Sequence, residues 1–311
     1  MILKTQVIIN PESNKGRTRR RWSEIKSALK NFIKDFKYDF TEKPRQATDL
    51  TREAIKSGTE LIIGVGGDGT MNEIANGFFE NRQVINPETA LGIVPSGTGC
   101  DFTKSLNLPQ NVKDALQVIA GSGTKRIDVG RAAFTGSDGR PEERFFLNVA
   151  DFGIGGEVVQ TVNRKRLERR ASSYFRCLMT TALRFKNKRL RLRVDGVEFP
   201  RQEYMIGAVA NGRIFGKGMK ISPYAKLDDG RFDFVLVRGM KMLEFFFNSW
   251  KIYLGTHLAH PKIDLYRCRR VEAEPENQEE EVVIELDGEQ LGRLPATFDV
   301  LPLSLSVKSR A

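Results

Sequence analysis

Histidine and cysteine are scarce in this chain of 311 residues, which carries two of the first and three of the second. With only His257 and His260 to draw on, histidine-based zinc chemistry and a Ser-His-Asp triad are both disfavoured. Cys100, Cys177 and Cys268 lack metal-ligand spacing and leave one thiol over if any two pair, so they read as reduced thiols of a cytoplasmic protein. No run of about eighteen apolar residues occurs. The opening MILKTQVIIN moves straight into a strand pattern, without a cationic region, a long apolar segment or a cleavage site. Neither a membrane span nor a signal peptide is therefore expected. Acidic residues fall short of basic ones, 39 against 50, and the formal charge of +11 asks for an anionic partner.

The excess is localised. Between Asn163 and Arg193 stand Arg164, Lys165, Arg166, Arg169, Arg170, Arg176, Arg184, Lys186, Lys188, Arg189, Arg191 and Arg193, opposed only by Glu168, while acidic residues gather from Glu272 to Glu289. A solvated face is the plainest reading of such a run. Nucleic acid is the second, but no recognisable binding motif is present, and Tyr174, Phe175 and Phe185 are few aromatics for the purpose, so no nucleic-acid partner is expected. An anionic membrane surface is the third, each basic residue near it contributing ~1 kcal/mol.

Length alone suggests two domains. Up to Val129, apolar strands alternate with helical segments: QVIIN, Thr18 to Ile33, YDF, Arg45 to Ser57, LIIGV, Thr70 to Phe79, ALGIV, Val112 to Ala120 and RIDVG. That alternation predicts a doubly wound parallel α/β sheet over 1–129. From Ala132 onward short strand-like segments dominate and predict an antiparallel β domain, interrupted by helical segments near Glu157 to Leu183 and Lys241 to His257. The second of these carries Phe245, Phe246, Phe247, Trp250 and Tyr253, read as a stripe facing the core.

Residues Leu61 to Asn76, LIIGVGGDGTMNEIAN, are a buried strand breaking into a glycine-dense turn and restarting as a helix. Gly64, Gly66, Gly67 and Gly69 let main-chain N–H groups converge on phosphate at the helix start. Asp68 would repel a bare phosphate, so the turn suggests a metal-nucleotide. Gly64, Gly66 and Gly69 also satisfy G-x-G-x-x-G, but two βα units precede them and the acidic residue expected about twenty positions later is misplaced. Gly212, Gly216, Lys217 and Gly218 miss the Walker A spacing. Ligands of open α/β sheets sit at the carboxyl ends of the strands. The loops there hold Asn10-Pro11-Glu12-Ser13-Asn14-Lys15-Gly16, Thr41, the GGDGT turn and Pro95 to Asp101, with Asp128 closing the fifth strand. Asp68, Asp101 and Asp128 are thus expected in one cleft, a cluster suited to Mg2+; taken singly, each also suits a helix cap or turn.

In these blocks the chain resembles the diacylglycerol-kinase-like lipid kinases, the soluble bacterial family related to diacylglycerol, sphingosine and ceramide kinases. The likeness runs through NPESNKG at 10–16, GVGGDGTMNEIANG at 64–77, PSGTGCDF at 95–102, FLNVADFGIGGEV at 146–158, ANGRIFGKGMKISPYAKLDDGRFD at 210–233 and ELDGEQLGRLPATF at 285–298. The resemblance implies an α/β nucleotide domain rejoined by the chain's last segment, about 300–311, and a β-sandwich lipid-substrate domain over 130–299, with the active site in the cleft between them. It implies ATP at Asn10, Pro11, Glu12, Ser13, Asn14, Thr41, Gly66, Gly67, Asp68, Gly69, Thr70, Met71, Asn72, Glu73 and Thr98. It also implies a catalytic Mg2+ near Asp68, Asp101 and Asp128, a structural Mg2+ held by Asp229 and main-chain oxygens of Lys226 and Arg231, and Glu289 as general base, a residue that on local pattern alone would sit in an ordinary hairpin turn. A carboxylate base suits a poorly nucleophilic lipid hydroxyl. Peripheral attachment to the inner face of the membrane follows from the implied substrate, with a homodimer left open. Cys100 stands where the family's GTxND pattern has asparagine. The sequence leaves the acceptor lipid open, and a catalytically silent nucleotide- or membrane-binding regulator is the alternative.

Overall fold

The computed structural model describes residues 3–164 and 171–310. Lys165, Arg166, Glu168, Arg169 and Arg170 of the basic segment lie outside the described residues, as do the side chains of Arg164, Tyr174 and Phe175. The chain divides into two compact units, residues 1–129 with 302–311, and residues 130–301.

In the first unit the order is β1 (Thr5–Ile9), α1 (Ser13–Phe32), β2 (Lys37–Phe40), α2 (Gln46–Lys56), β3 (Leu61–Gly66), α3 (Asp68–Gly77), a small hairpin of β4 (Phe79–Glu80) and β5 (Gln83–Val84), β6 (Ala90–Pro95), α4 (Asp101–Ser105) and α5 (Val112–Ala120), followed by the start of β7 (Thr124–Gly136). Strands β2, β1, β3 and β6 pair in parallel, and Ser306 and Val307 add a fifth parallel neighbour beside β6. Alternation along β1, β3 and β6 sorts side chains onto two buried faces, while edge strand β2 is exposed. Val7, Ile9, Ile63, Val65 and Val94 pack with Ile25 and Leu29 of α1 and Leu116 and Ile119 of α5. On the other face Gly64 lies under Met71 and Ile74 of α3, where any Cβ would come within 2.7 Å of both side chains. The sheet is therefore wound on both sides, and its inner strands β1, β3 and β6 are apolar runs covered twice. The helix expected at Thr18 opens at Ser13, but Asn14, Lys15 and Gly16 are left-handed (φ 53°, 58° and 73°), so the regular helix begins after them.

The second unit contains the rest of β7, then β8 (Pro141–Phe146), β9 (Val149–Gly153), α6 (Ile154–Arg164), α7 (Ala171–Ala182), β10 (Lys188–Val194), β11 (Val197–Glu198), β12 (Gln202–Ala210), β13 (Phe232–Arg238), α8 (Met242–Asn248), α9 (Lys251–Leu254), β14 (Ile263–Cys268), β15 (Arg270–Pro275), β16 (Val283–Leu286) and β17 (Glu289–Lys308), whose end lies in the first unit. Here the expected sandwich closes on itself. Strand β10 pairs with β12 and with β15, and the ladder continues from β12 through β9 and β16 to β17 and back to β15. Phe146, Phe152, Phe232, Phe234 and Phe298 fill the interior. Closure leaves these ring strands without a free edge over the paired register.

The register also explains the charge distribution. Arg191 lies opposite Glu274 and Arg193 opposite Glu272 across β10 and β15. Arg189 meets Glu276 at 2.7 Å and Lys188 meets Glu280 at 3.3 Å. The distal part of the basic segment is thus matched to the acidic run across the ladder.

The stripe on α8 and α9 needs a correction. Phe245 is packed inward, but Phe246, Phe247 and Trp250 are exposed. Helical spacing shows that residues share a face; it does not say which way the face looks. Among the described residues no helix is long and apolar enough to cross a membrane.

Candidate active site

The loops after β1, β3 and β6 form a polar cradle at the carboxyl ends of the first unit's strands. Gly67 and Gly97 meet backbone to backbone: a Cβ on Gly97 would lie 2.4 Å from the Gly67 Cα. Only glycine permits that approach. At Gly66 a Cβ would fall 2.5 Å from Thr70 Oγ1, so the turn into α3 is equally tight. Gly67 occupies the N-cap of α3 and no side chain caps that helix, so the positive end of its dipole and its first N–H groups serve the turn itself.

Asn10 donates to Thr70 Oγ1 at 3.0 Å, tying the first loop to the third. Its Oδ1 accepts from Glu12 N at 3.0 Å, and Ser13 Oγ donates to Asn10 O at 2.9 Å. The hydroxyls of Ser13, Thr18 and Ser96 form a chain, 2.5 Å and 2.6 Å apart, linking loop one to the loop after β6. Ser96 lay in the loop the sequence marked, but its link to Thr18, a residue read only as a helix start, was not legible locally. Thr41 N donates to Ile9 O at 2.8 Å, which places that residue at the end of β2 beside β1. Pro11 and Met71 are buried, so what these positions can offer a ligand is backbone. Buried Asn72 holds Asn76 on the same helix, and Glu73 receives Ala47 N at 3.3 Å at the start of α2. Thr98 is exposed at the tip of its loop.

The three aspartates divide. Asp68 accepts from Asp101 N at 3.1 Å and Phe102 N at 3.0 Å, so it caps α4 across the cradle and brings two of the expected acidic residues together. Asp101 is buried and receives Lys104 Nζ at 2.9 Å. Asp128, wholly buried, accepts from Leu303 N at 2.8 Å and pins the returning chain. Among the described residues no three His, Cys, Asp or Glu groups form a ready metal centre. Mg2+ commonly uses one or two carboxylates together with substrate phosphates, and Asp68 with Asp101 at the glycine cradle fits that mode. Cys100 is left-handed (φ 50°) at the N-cap of α4, a conformation that asparagine tolerates better. Burial, then Asp68, push its thiol up to about 11.

In the second unit, Asp287 and Gly288 (φ 49° and 89°) make a two-residue hairpin turn between Leu286 and Glu289. The Asp287 carboxylate accepts three backbone N–H groups, from Leu147 at 2.7 Å, Asn148 at 2.9 Å and Val149 at 3.1 Å. Glu285 Oε1 accepts Gly288 N at 2.7 Å. The half-buried Glu289 is therefore presented by a turn fixed from two sides. Asp287 was within the motif but its partners, far earlier in the chain, were not legible.

The 226–231 turn, where the resemblance implies a structural Mg2+, is held here by the chain's own groups. Asp229 accepts Arg231 N at 3.1 Å and forms an ion pair with Arg267, which also faces Asp233 at 3.7 Å. The Lys226 side chain is exposed, and the ligands implied at this turn besides Asp229 are main-chain oxygens of Lys226 and Arg231. Arg267 neutralises Asp229 as placed, as Lys104 does Asp101, so a dication at this turn would share or displace that partner.

Comparison with known proteins follows these features. The diacylglycerol kinase catalytic domain matches residues 4–132, and the YegS C-terminal NAD kinase beta sandwich-like domain matches residues 148–309. The chain belongs to the bacterial diacylglycerol-kinase and YegS-like family of ATP-dependent lipid kinases. It is similar to a diacylglycerol kinase of Staphylococcus haemolyticus, 29% identical with 94% of this chain and 84% of the relative covered. A diacylglycerol kinase of Staphylococcus carnosus is 27% identical, with 95% and 91% covered. The crystal structure of a candidate diacylglycerol kinase from Bacillus anthracis superposes with a TM-score of 0.76 at 25% identity, covering 99% of this chain and 97% of that one.

Proposed function

We propose that this enzyme transfers the γ-phosphoryl group of ATP to the hydroxyl of diacylglycerol or a closely related lipid. The observation that carries the reading is the Gly67–Gly97 contact beside Asp68: two backbones too close for any side chain, at an uncapped helix start, with a carboxylate held in place by the next helix. That is an anion site able to take phosphate together with a cation.

Asn10 to Asn14, Thr41, the turn from Gly66 to Glu73 and Thr98 form the nucleotide side. Pro11 and Met71 contribute through backbone and packing, Asn10 and Ser13 by fixing loops to each other. Asp68 and Asp101 would hold Mg2+, which when bound neutralises charge on the phosphates. The first N–H groups of α3 offset charge developing on the transferred group. Glu289 accepts the proton of the lipid hydroxyl as its oxygen bonds to the γ-phosphorus and the bond to the ADP oxygen breaks. Asp287 and Glu285 hold the turn that presents it. Asp229 keeps a structural role that rests on Arg267.

The test is a panel of diacylglycerol, sphingoid base, ceramide, phosphatidylglycerol and polyprenol, each offered with labelled ATP and Mg2+. Label transferred chiefly to diacylglycerol is the expected result; transfer to another class reassigns the acceptor, and none to any overturns the reading.

A further inference from the structure

Leu243, Phe246, Phe247, Trp250 and Leu254 recur at helical spacing along α8 and α9 and are 73%, 54%, 70%, 52% and 59% exposed. The opposite side of the same segment is anchored. Phe245 packs with Val237, Met240, Leu178 and Phe185, while Ile252 and Tyr253 pack against a cluster around Phe215 and Met219. Ser249 Oγ reaches Met179 Sδ on α7 at 3.8 Å. The segment is therefore held with its large apolar side chains outward. Soluble surfaces scatter such residues; a contiguous row marks a contact.

The surrounding charge indicates what is contacted. From Gly239 to Ile263 there are three lysines and one acid, Glu244. That acid is neutralised by Lys262 at 2.6 Å. Lys241 is exposed, and Lys220, also exposed, joins the end of the segment through its N–H to Ile252 O at 3.0 Å. Beyond the α7 contact, Arg184 and Lys186 are exposed, and no acidic residue occurs from Arg169 to Val194. The β10 arginines face glutamates across the ladder with β15, whereas these cations lie outside that ladder. The Trp250 indole N–H already donates to Phe247 O at 3.0 Å, so it can leave water with its hydrogen bond made. Exposed aromatics ringed by cations match the boundary between headgroups and acyl chains of an anionic bilayer.

We propose that the outward face of α8 and α9 is the surface by which this enzyme sits on anionic membrane: Leu243, Phe246, Phe247, Trp250 and Leu254 enter the acyl boundary, and Lys220 and Lys241 meet lipid phosphates. The proposal rests on the lipid-kinase reading, since a bilayer-borne acceptor obliges some face to meet the bilayer. It moves the contact away from the ion-paired β10.

Three measurements on the full chain test it. Vesicles of phosphatidylcholine doped with phosphatidylglycerol are sedimented with the parent and with Phe246→Ser/Phe247→Ser/Trp250→Ser, at low and high salt. Binding is expected to fall at least about tenfold in the variant, and the parent's to weaken with salt. Turnover on a water-soluble short-chain diacylglycerol should be unchanged; loss of that turnover in the parent would sink the lipid-kinase reading instead. In Trp22→Phe, Trp250 is the remaining tryptophan, and brominated lipid should quench it even if the triple variant folds poorly. Vesicle binding without quenching, equal binding by parent and variant, or a parent dimer that the variant dissociates while still binding vesicles, each overturns the proposal.

Discussion

Glu285 and Asp151 stand directly opposite one another on β16 and β9, and both are sealed from solvent at 2% and 0% exposure. Two carboxyl groups so placed cannot both ionise without a large penalty. Burial pushes Asp151 up to about 7, against the pull of Gly156 N–H and Glu285, and burial followed by Asp151 pushes Glu285 well above the carboxylate range. The pair sits behind the turn that carries Glu289.

A pH dependence follows. The folded pKa exceeds the ordinary 3.8 of Asp151, so the stability of the protonated pair is complete below that value and is lost as pH rises toward neutrality. Glu285→Gln keeps an acceptor for Gly288 N and offers Asp151 a donor. It should raise the melting temperature more at pH 8 than at pH 5, by roughly 1–3 kcal/mol of stability at the higher pH. Thermal melts across that range check the slope; a variant that tracks the parent in parallel removes the pair from the account.

Gly97→Ala should cost nucleotide binding more than folding. The added methyl must displace the Gly67 backbone, a shift worth about 1–3 kcal/mol, and it falls on the phosphate turn. ATP affinity measured by calorimetry should drop about tenfold or more, whereas Gly139→Ala, on an open left-handed turn, should leave it unchanged.

Glu289→Gln should lower phosphoryl transfer by about 10²–10⁴ while ATP binding stays near that of the parent. Asp287→Ala should lose both activity and stability, because three buried-side N–H groups lose their acceptor. Near-normal turnover of Glu289→Gln would take that residue out of the chemistry.

All three cysteines are unpaired and buried, and burial raises the thiols of Cys100 and Cys268 to about 11 and about 12. Native protein at pH 8 should react slowly with a thiol reagent such as Ellman's, and denatured protein should release three equivalents at once. Rapid labelling of one native thiol would contradict this.

Asp229→Asn and Arg267→Gln should destabilise alike, and the double variant should lose little more than either, since each removes the same ion pair. Melts with and without Mg2+ should coincide for the parent. A melt that rises with Mg2+ would restore a metal to the 226–231 turn.

What the sequence made legible was local. The turn at Gly66 to Gly69 and the alternation around it declare a phosphate loop in a parallel sheet, because glycine density and strand length are written in consecutive residues. Asp287 could be seen as a hairpin residue but not as the anchor of Leu147, Asn148 and Val149, since that depends on strand order. The match of Arg191 to Glu274 depends on register, which the separate charge runs do not contain. Asp229 illustrates the same gap: its partner Arg267 lies on another strand. The α8 stripe was visible as a stripe, while its direction was decided by Phe245 and Tyr253 claiming the core side first.

Asp128 holding Leu303, and Ser306 and Val307 pairing with β6, bear on how the chain is made. The outermost parallel strand of the first unit comes from its last residues, so the nascent polypeptide cannot complete that sheet until the ribosome has delivered them. During the intervening synthesis β6 is an unsatisfied edge beside apolar Leu91 and Ile93. Residues 130–301 are synthesised while that edge waits, so loss of residues 302–308 would leave it uncovered for good.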